Sequence, residues 1–229
     1  GKTGINHEIG KNLTGSFYQP SGVISDISFL ETLPQNEWIN GLSEILKYAA
    51  IRDGAIFDQT EFFLNPSTPY YEHSDQELIS LIAGCASVKI DIVEKDEHEQ
   101  GIRAFLNFGH TFAHALEKEC GYSSISHGEA VFLGMLAAMK LSRLKGAGAY
   151  LDDEKLTRYG SLYSYRVDKD ALSYENLLTH MMADKKNKTG EVRFVLLESW
   201  QHPVLKTVNN ESHLRDAWKV ILDRLLHRT

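Results

Sequence analysis

Apolar residues recur at three- and four-residue steps through most of this 229-residue chain, the spacing of amphipathic helices. Leu33-Pro34 leads into the first: Trp38, Leu42, Ile45, Leu46 and Ala49 share one face, and proline suits a helix's first turn. Asp75 to Lys95 predicts a long helix with Leu78, Ile82, Cys85, Val88 and Ile92 on its core side. A further apolar helix is expected over Asn107 to Lys118 and another over Ser126 to Lys145. Ser126-His127-Gly128-Glu129 has the form of a capping box at the start of the latter, and Gly146 fits its far end. Leu214, Trp218, Ile221, Leu222 and Leu225 give a last amphipathic helix. Strand signals are few. Val23-Ile24 within Ser21 to Asp26 reads as one short strand, and Val192 to Leu197 as another after the Lys188-Thr189-Gly190 turn. Gly1 to Gly15 and Asn65 to Ser74 read as loops. The expected class is mainly α, with a few short strands near the ends and no internal repeat.

This length allows one large domain or two small ones, with enough chain to bury a core without staples. A net charge of -7 and a pI near 5.8 give no basic excess, so neither nucleic acid nor an anionic membrane is the expected partner. Two cysteines, Cys85 and Cys120, make no disulfide framework and suit a reducing compartment. No apolar run of about 18 residues occurs, and no signal-type leader pattern is found. The chain opens Gly1-Lys2-Thr3-Gly4, so the expectation is that it starts inside a longer protein.

The strongest chemical signal is Arg103-Ala-Phe-Leu-Asn107-Phe-Gly-His110-Thr-Phe-Ala-His114. Placed on one helix, Arg103, Asn107, His110 and His114 fall within an arc of about 60°, while Phe105, Leu106, Phe108 and Phe112 point elsewhere; the alternative for Arg103 is the turn before the helix. Two histidines at i and i+4 can share a metal ion, or act as a ligand and a proton-transfer group; they can also be a plain surface stripe. No glutamate makes the pair a zincin signature. His127 stands at a helix start, and Glu44 and Lys47 can be an ordinary i, i+3 surface pair. Together, one carboxylate and two imidazoles from three segments suit a catalytic zinc with an open position. Lys2, Lys11, Lys47, Lys89, Arg103, Lys185 and Lys186 are scattered through an acidic chain; a fold that gathered them would suit a phosphorylated, carboxylated substrate. No Gly-x-Gly-x-x-Gly follows a strand, and Gly146-Ala-Gly148 lacks the third glycine, so no complete dinucleotide site is visible.

Several of these motifs, in order, resemble the 3-dehydroquinate synthase family. They are Gly1-Lys-Thr-Gly-Ile-Asn-His7, Gly10-Lys-Asn12, Phe17-Tyr-Gln-Pro20, Thr32-Leu-Pro34, Gly41-Leu-Ser-Glu44-Ile-Leu-Lys47-Tyr48, Arg103 to His114, His127-Gly-Glu-Ala130 and Asp184-Lys-Lys186. The likeness covers most of residues 1 to 200 and fades after Trp200. It implies a multihelical C-terminal domain over 1–229, with residues 1–27 packing on a Rossmann-like N-terminal domain that these residues do not include. It also implies a cytoplasmic homodimer acting in the shikimate route to aromatic amino acids. The family is a phosphate-eliminating lyase that converts 3-deoxy-D-arabino-heptulosonate 7-phosphate into 3-dehydroquinate, using NAD transiently and zinc or cobalt. By the family pattern Glu44, His110 and His127 are the metal ligands. Lys2, Lys47, Lys89, Arg103, Asn107, His114 and Lys186 meet the substrate, with Lys185 as the alternative to Lys186. Lys2, Lys11, Asn12 and the stretch Phe29, Leu30, Glu31, Thr32 lie near NAD, and Glu99 supports Arg103. Without the dinucleotide-binding half, this chain alone is expected to turn over little or nothing.

Three other readings compete. A sugar-phosphate cyclase such as 2-deoxy-scyllo-inosose synthase would use similar ligands in a different pocket. A metal-dependent polyol dehydrogenase would have no use for the cations. A non-catalytic helical interaction domain would leave the polar stripe unexplained.

Overall fold

The computed structural model describes residues 1–7, 10–65, 74–146, 148, 151–168, 172–183 and 192–226, apart from the side chains of 6, 7, 10–13, 183 and 226. Its elements run β1 (Ile5–His7), β2 (Gly10–Thr14), α1 (Gln35–Ile51), α2 (Ala55–Gln59), α3 (Asp75–Lys95), α4 (His110–Glu119), α5 (His127–Leu144), α6 (Glu154–Thr157), α7 (Tyr174–Ala183), β3 (Arg193–Ser199), β4 (His202–Thr207) and α8 (Glu211–Leu226). The mainly α class and the long helices follow the hydrophobic pattern. The α3 span matches its expected limits, and α5 starts at the expected capping box, with Ser126 accepting from the Glu129 amide and Glu129 accepting from the Ser126 amide.

The core is built around α5. Val131 to Ala138 are buried without a break, as befits a helix that is covered on every side. Helices α1, α4 and α8 and strand β3 pack against it, and α7 packs on α4. Strand β3 pairs antiparallel with β4, from Arg193 opposite Thr207 to Ser199 opposite His202. The Leu197 amide donates to Ser142 Oγ at 3.0 Å, tying β3 to α5. Trp218 of α8 is fully buried, its ring 5.2 Å from that of Phe112 on α4.

Three expectations are corrected, and one strand is added. Residues Gly1 to Gly15 are not a loop throughout: β1 and β2 form an antiparallel hairpin. Ile5 is exposed, and neither Ile5-Asn6-His7 nor Gly10 to Thr14 carries an alternating apolar run in the sequence, so no period-2 pattern marked it. Val23-Ile24 is no strand; both side chains are exposed, and no described strand pairs with them. The helix expected from Asn107 begins only at His110. A 3-10 turn over Ile102–Asn107 precedes it, and Gly109 at φ +80 breaks the path between them. Arg103 and Asn107 therefore do not share a helical face with His110 and His114. Strand β4 was not expected, because Pro203 and Lys206 interrupt its apolar residues; proline is tolerated on such an edge. The expected loop at Asn65 to Ser74 falls at 66–73 outside the described residues.

Glycines set how closely the helices approach. A Cβ at Gly134 of α5 would run into the Gly109 carbonyl and meet the Ala113 amide at 3.2 Å; one at Gly109 would meet the Met135 amide at 2.7 Å. This contact seats the start of α4, and hence His110, against α5. Gly134→Ala is expected to cost about 1–3 kcal/mol of stability by overpacking. Gly41→Ala, in α1 where a Cβ meets nothing within 4 Å, should instead add about 0.5–1 kcal/mol. Urea unfolding of the two variants checks both; equal midpoints would contradict the packing argument.

Candidate metal centre

Three helices deliver three ligand-type side chains to one point. Glu44 lies mid-way along α1, His110 opens α4 and His127 opens α5. One ligand atom of each lies within 4.8 Å of the others. Glu44 Oε1 is 3.4 Å from His110 Nε2 and 3.6 Å from His127 Nε2, and the imidazole rings stand 5.5 Å apart. Each histidine is oriented through its other nitrogen. His110 Nδ1 lies 3.1 Å from the Phe108 carbonyl, which can only accept, and His127 Nδ1 is 3.3 Å from Glu117 Oε1. That arrangement turns both Nε2 atoms toward Glu44, as in metal sites whose histidines donate their far N–H to a carbonyl or carboxylate.

The residues fit a divalent cation. Glu44 Oε1 is buried and has no hydrogen-bond partner, an arrangement that costs free energy unless a charge completes it. Its carboxylate also pairs with the Lys47 ammonium through Oε2. Burial alone would raise the Glu44 carboxyl, but the two imidazoles and Lys47 outweigh it and hold the group far below the usual carboxylate range. Burial pushes His110 down against the pull of Glu44. The carboxylates of Glu117 and Glu44 raise His127 to about 9 despite burial. A bound cation would displace that proton. Two imidazoles, one carboxylate and an open fourth position suit zinc or a similar metal.

Lys47 is 3% exposed, so the Glu44–Lys47 pair is not the surface pair that i, i+3 spacing allows. Burial lowers the Lys47 ammonium, Glu44 opposes it, and Lys89 of α3 is close enough to lower it further. His114, one turn after His110, is exposed, with its ring 5.6 Å from that of His110.

Arg103 and Asn107 reach their places through the turn before α4. Asp96 accepts from the backbone amides of Gln100, Gly101 and Arg103 at 2.8–2.9 Å and so shapes this turn. The buried Arg103 guanidinium donates to the Glu97 carbonyl and lies 5.5 Å from the Phe17 ring centre. Glu99, at φ +57, binds Lys2 at 2.6 Å and Asn107 at 2.8 Å. A non-glycine residue in that conformation marks a constrained position. Lys2, Glu99 and Asn107 thus form one group, with Glu99 holding Asn107 and Lys2.

Phe29 and Leu30 lie in a 3-10 turn over Ile27–Leu30, with Phe29, Glu31 and Thr32 exposed and Leu30 half-buried against the core. Lys11 and Asn12 fall on β2, and their side chains lie outside the described residues, as do Lys185 and Lys186. Sequence reasoning missed Glu117 and Asp96. Glu117 is a buried carboxylate on an apolar helix face, seven residues after His110, a signal that was legible. Asp96 acts on backbone amides, which leave no pattern in the sequence. A cavity of about 510 Å³, lined by Asn40, Ser126, Glu129, Tyr163 and Arg166 among others, holds none of the predicted site residues.

Residues 41–187 match the family described as 3-dehydroquinate synthase C-terminal, and residues 1–40 match 3-dehydroquinate synthase N-terminal. The chain belongs to the 3-dehydroquinate synthase family. It is 42% identical over 220 residues to the 3-dehydroquinate synthase of Salinibacter ruber, covering 96% of this chain and 59% of that protein. It is 39% identical over 215 residues to that of Neisseria meningitidis, covering 94% and 59%. The chain thus spans less than two thirds of the length of these curated relatives. Among solved structures, ValA (2-epi-5-epi-valiolone synthase) from Streptomyces hygroscopicus, with NAD+ and Zn2+ bound, has a TM-score of 0.78 at 22% identity over 97% of this chain and 61% of its own. A 2-deoxy-scyllo-inosose synthase complexed with carbaglucose-6-phosphate, NAD+ and Co2+ has a TM-score of 0.74 at 24% identity, covering 97% and 61%.

The Asp96 carboxyl is lowered mainly by the Arg103 and Gln100 amides. A carboxyl lowered on folding stabilises the fold above its unfolded pKa of about 3.9, and that contribution disappears as the pH falls through the folded value. Asp96→Asn is therefore expected to lose stability at pH 7 and to show a shallower loss on acidification than the parent. Unfolding midpoints between pH 7 and pH 3 check this; parallel curves would contradict it.

Proposed function

We propose that this chain provides the metal- and substrate-binding side of a 3-dehydroquinate synthase, converting 3-deoxy-D-arabino-heptulosonate 7-phosphate to 3-dehydroquinate and phosphate in the shikimate pathway. The convergence of Glu44, His110 and His127 on one point, with a buried carboxylate oxygen that makes no hydrogen bond there, carries the reading. When bound, the metal would supply a Lewis acid that acidifies a substrate hydroxyl, and NAD a reversible hydride acceptor.

In this reading Glu44, His110 and His127 hold the metal, with Glu117 fixing the His127 ring. Lys47, Lys89 and Arg103 neutralise the substrate's carboxylate and phosphate, as closely held cations do. Asn107 and His114 orient hydroxyls, His114 standing next to His110 and open to solvent. Once the alcohol is a ketone, the adjacent C–H is acidic and phosphate leaves by a mild elimination. The protein's task is then to orient and polarise. By the family pattern Lys2 and the Phe29 to Thr32 stretch serve the dinucleotide; Lys11 and Asn12 are assigned to it, and Lys186 to the substrate, on the sequence motif alone. The proposal includes a cytoplasmic homodimer, following the family's habit; the free, half-buried thiols of Cys85 and Cys120 suit a reducing compartment. Relatives at 39–42% identity are 3-dehydroquinate synthases, whereas the other sugar-phosphate cyclases share the fold at 22–24%; this favours 3-dehydroquinate as product.

The chain is expected to bind one zinc per molecule. Glu44→Ala, His110→Ala and His127→Ala should each abolish tight binding, and Glu117→Gln should weaken it about 10–100-fold. Joined to a dinucleotide-binding half, the parent should release phosphate from the heptulosonate phosphate and the three ligand variants should not, while these 229 residues alone should not turn over. Zinc titration and a phosphate-release assay read both. Zinc binding unchanged by all three ligand substitutions would overturn the assignment.

A further inference from the structure

Glu44 and His127 sit on different helices, and their separation depends on the seam between α1 and α5. That seam is unusually close: a Cβ at Gly128 would run into the Asn40 backbone. Three hydrogen bonds cross or flank it. Ser126 Oγ donates to Asn40 Oδ1 at 2.6 Å, Ser43 Oγ donates to the Gly128 carbonyl at 2.6 Å, and Ser43 Oγ lies 2.7 Å from the Tyr163 hydroxyl. Ser43 immediately precedes Glu44, and Gly128 immediately follows His127.

The direction of the two Ser43 bonds is fixed by proton count. A serine hydroxyl has one hydrogen, and the Gly128 carbonyl can only accept. With the Ser43 proton given to that carbonyl, Tyr163 must donate to Ser43. The result is a chain, Tyr163 O–H to Ser43 O–H to Gly128 C=O, in which each bond polarises the next. Its ends are rigid. Ser43 is fully buried, and the Tyr163 ring stacks on Phe132 at 4.3 Å and lies nearly parallel to Tyr165 at 6.2 Å. His127, by contrast, has a half-exposed side chain anchored to Glu117 at 3.3 Å, so its reach toward Glu44 rests largely on where its backbone is held.

We infer that Ser43 and Tyr163 are positioning residues for the metal site: their hydroxyl chain sets the distance between Glu44 on α1 and His127 on α5. This rests on the three-ligand reading above, and neither residue touches the metal in it.

The test compares the parent chain with Ser43→Ala, Tyr163→Phe, the double variant and Ser142→Ala. Ser142 is a buried serine on α5 whose hydroxyl bonds Ala138 and Leu197, so its loss reports a purely structural effect. Zinc affinity is measured by chelator competition, the visible spectrum is taken with saturating cobalt, and metal-free stability is measured in urea. Ser43→Ala is expected to weaken zinc about tenfold and to shift the cobalt bands. Tyr163→Phe should do the same to a smaller degree, and the double variant should be no weaker than Ser43→Ala, because one chain is broken once. Ser142→Ala should lose stability with zinc affinity and cobalt spectrum intact. Should Ser43→Ala fail to fold, Tyr163→Phe, which keeps the ring stack, decides the matter by the same two metal readouts. Parent-like affinity and spectra in the Ser43 and Tyr163 variants, or an equal loss in Ser142→Ala, would overturn the inference while leaving the ligand set standing. A parent chain that binds neither zinc nor cobalt would overturn the ligand set and this inference with it.

Discussion

A carboxylate oxygen buried between two imidazole nitrogens, with no hydrogen bond of its own, is the feature around which the rest of this structure makes sense. Burying charge without compensation is costly, so such an oxygen needs a cation. Lys47 satisfies the other carboxylate oxygen, and the two histidines are turned by the Phe108 carbonyl and by Glu117 so that their remaining nitrogens face the same point. Each neighbour settles one lone pair or proton and leaves one position for a metal.

Meeting that geometry constrains the helices. Glu44, His110 and His127 come from α1, α4 and α5, so all three must pack closely at one end of the core. Glycine makes the approach possible in both directions: Gly134 against Gly109 on the α4 side, Gly128 against Asn40 on the α1 side. A capping box at Ser126 starts α5 at His127, and the left-handed Gly109 starts α4 at His110. Both imidazoles therefore sit at helix beginnings, where the chain path can aim them without distorting a helix interior. The apolar core around α5, including Phe112, Phe132 and Trp218, supplies the stability that lets this end carry buried charge.

Much of this was legible in the sequence. The long helices announced themselves by their apolar spacing, and the capping box located the start of α5 because its chemistry is local. Glu44, His110 and His127 were readable as a donor set, since a carboxylate and imidazoles among apolar neighbours need a reason to be there. The break at Gly109 was not read, although glycine was present to signal it; the tidy polar stripe from Arg103 to His114 argued for a continuous helix. The hairpin of β1 and β2 and the strand β4 escaped because their pairing is not carried by alternating apolar residues. Asp96 and Ser43 could not be read at all: each acts on backbone groups of a segment that only the fold brings near.

The central claim is that Glu44, His110 and His127 bind one metal ion. Diffraction from zinc-loaded crystals of this chain, with data on both sides of the zinc absorption edge, tests it most directly. The account predicts a single strong anomalous peak within about 2.0–2.2 Å of Glu44 Oε1, His110 Nε2 and His127 Nε2. A peak bound by other residues, or none at this point with zinc in excess, would contradict it.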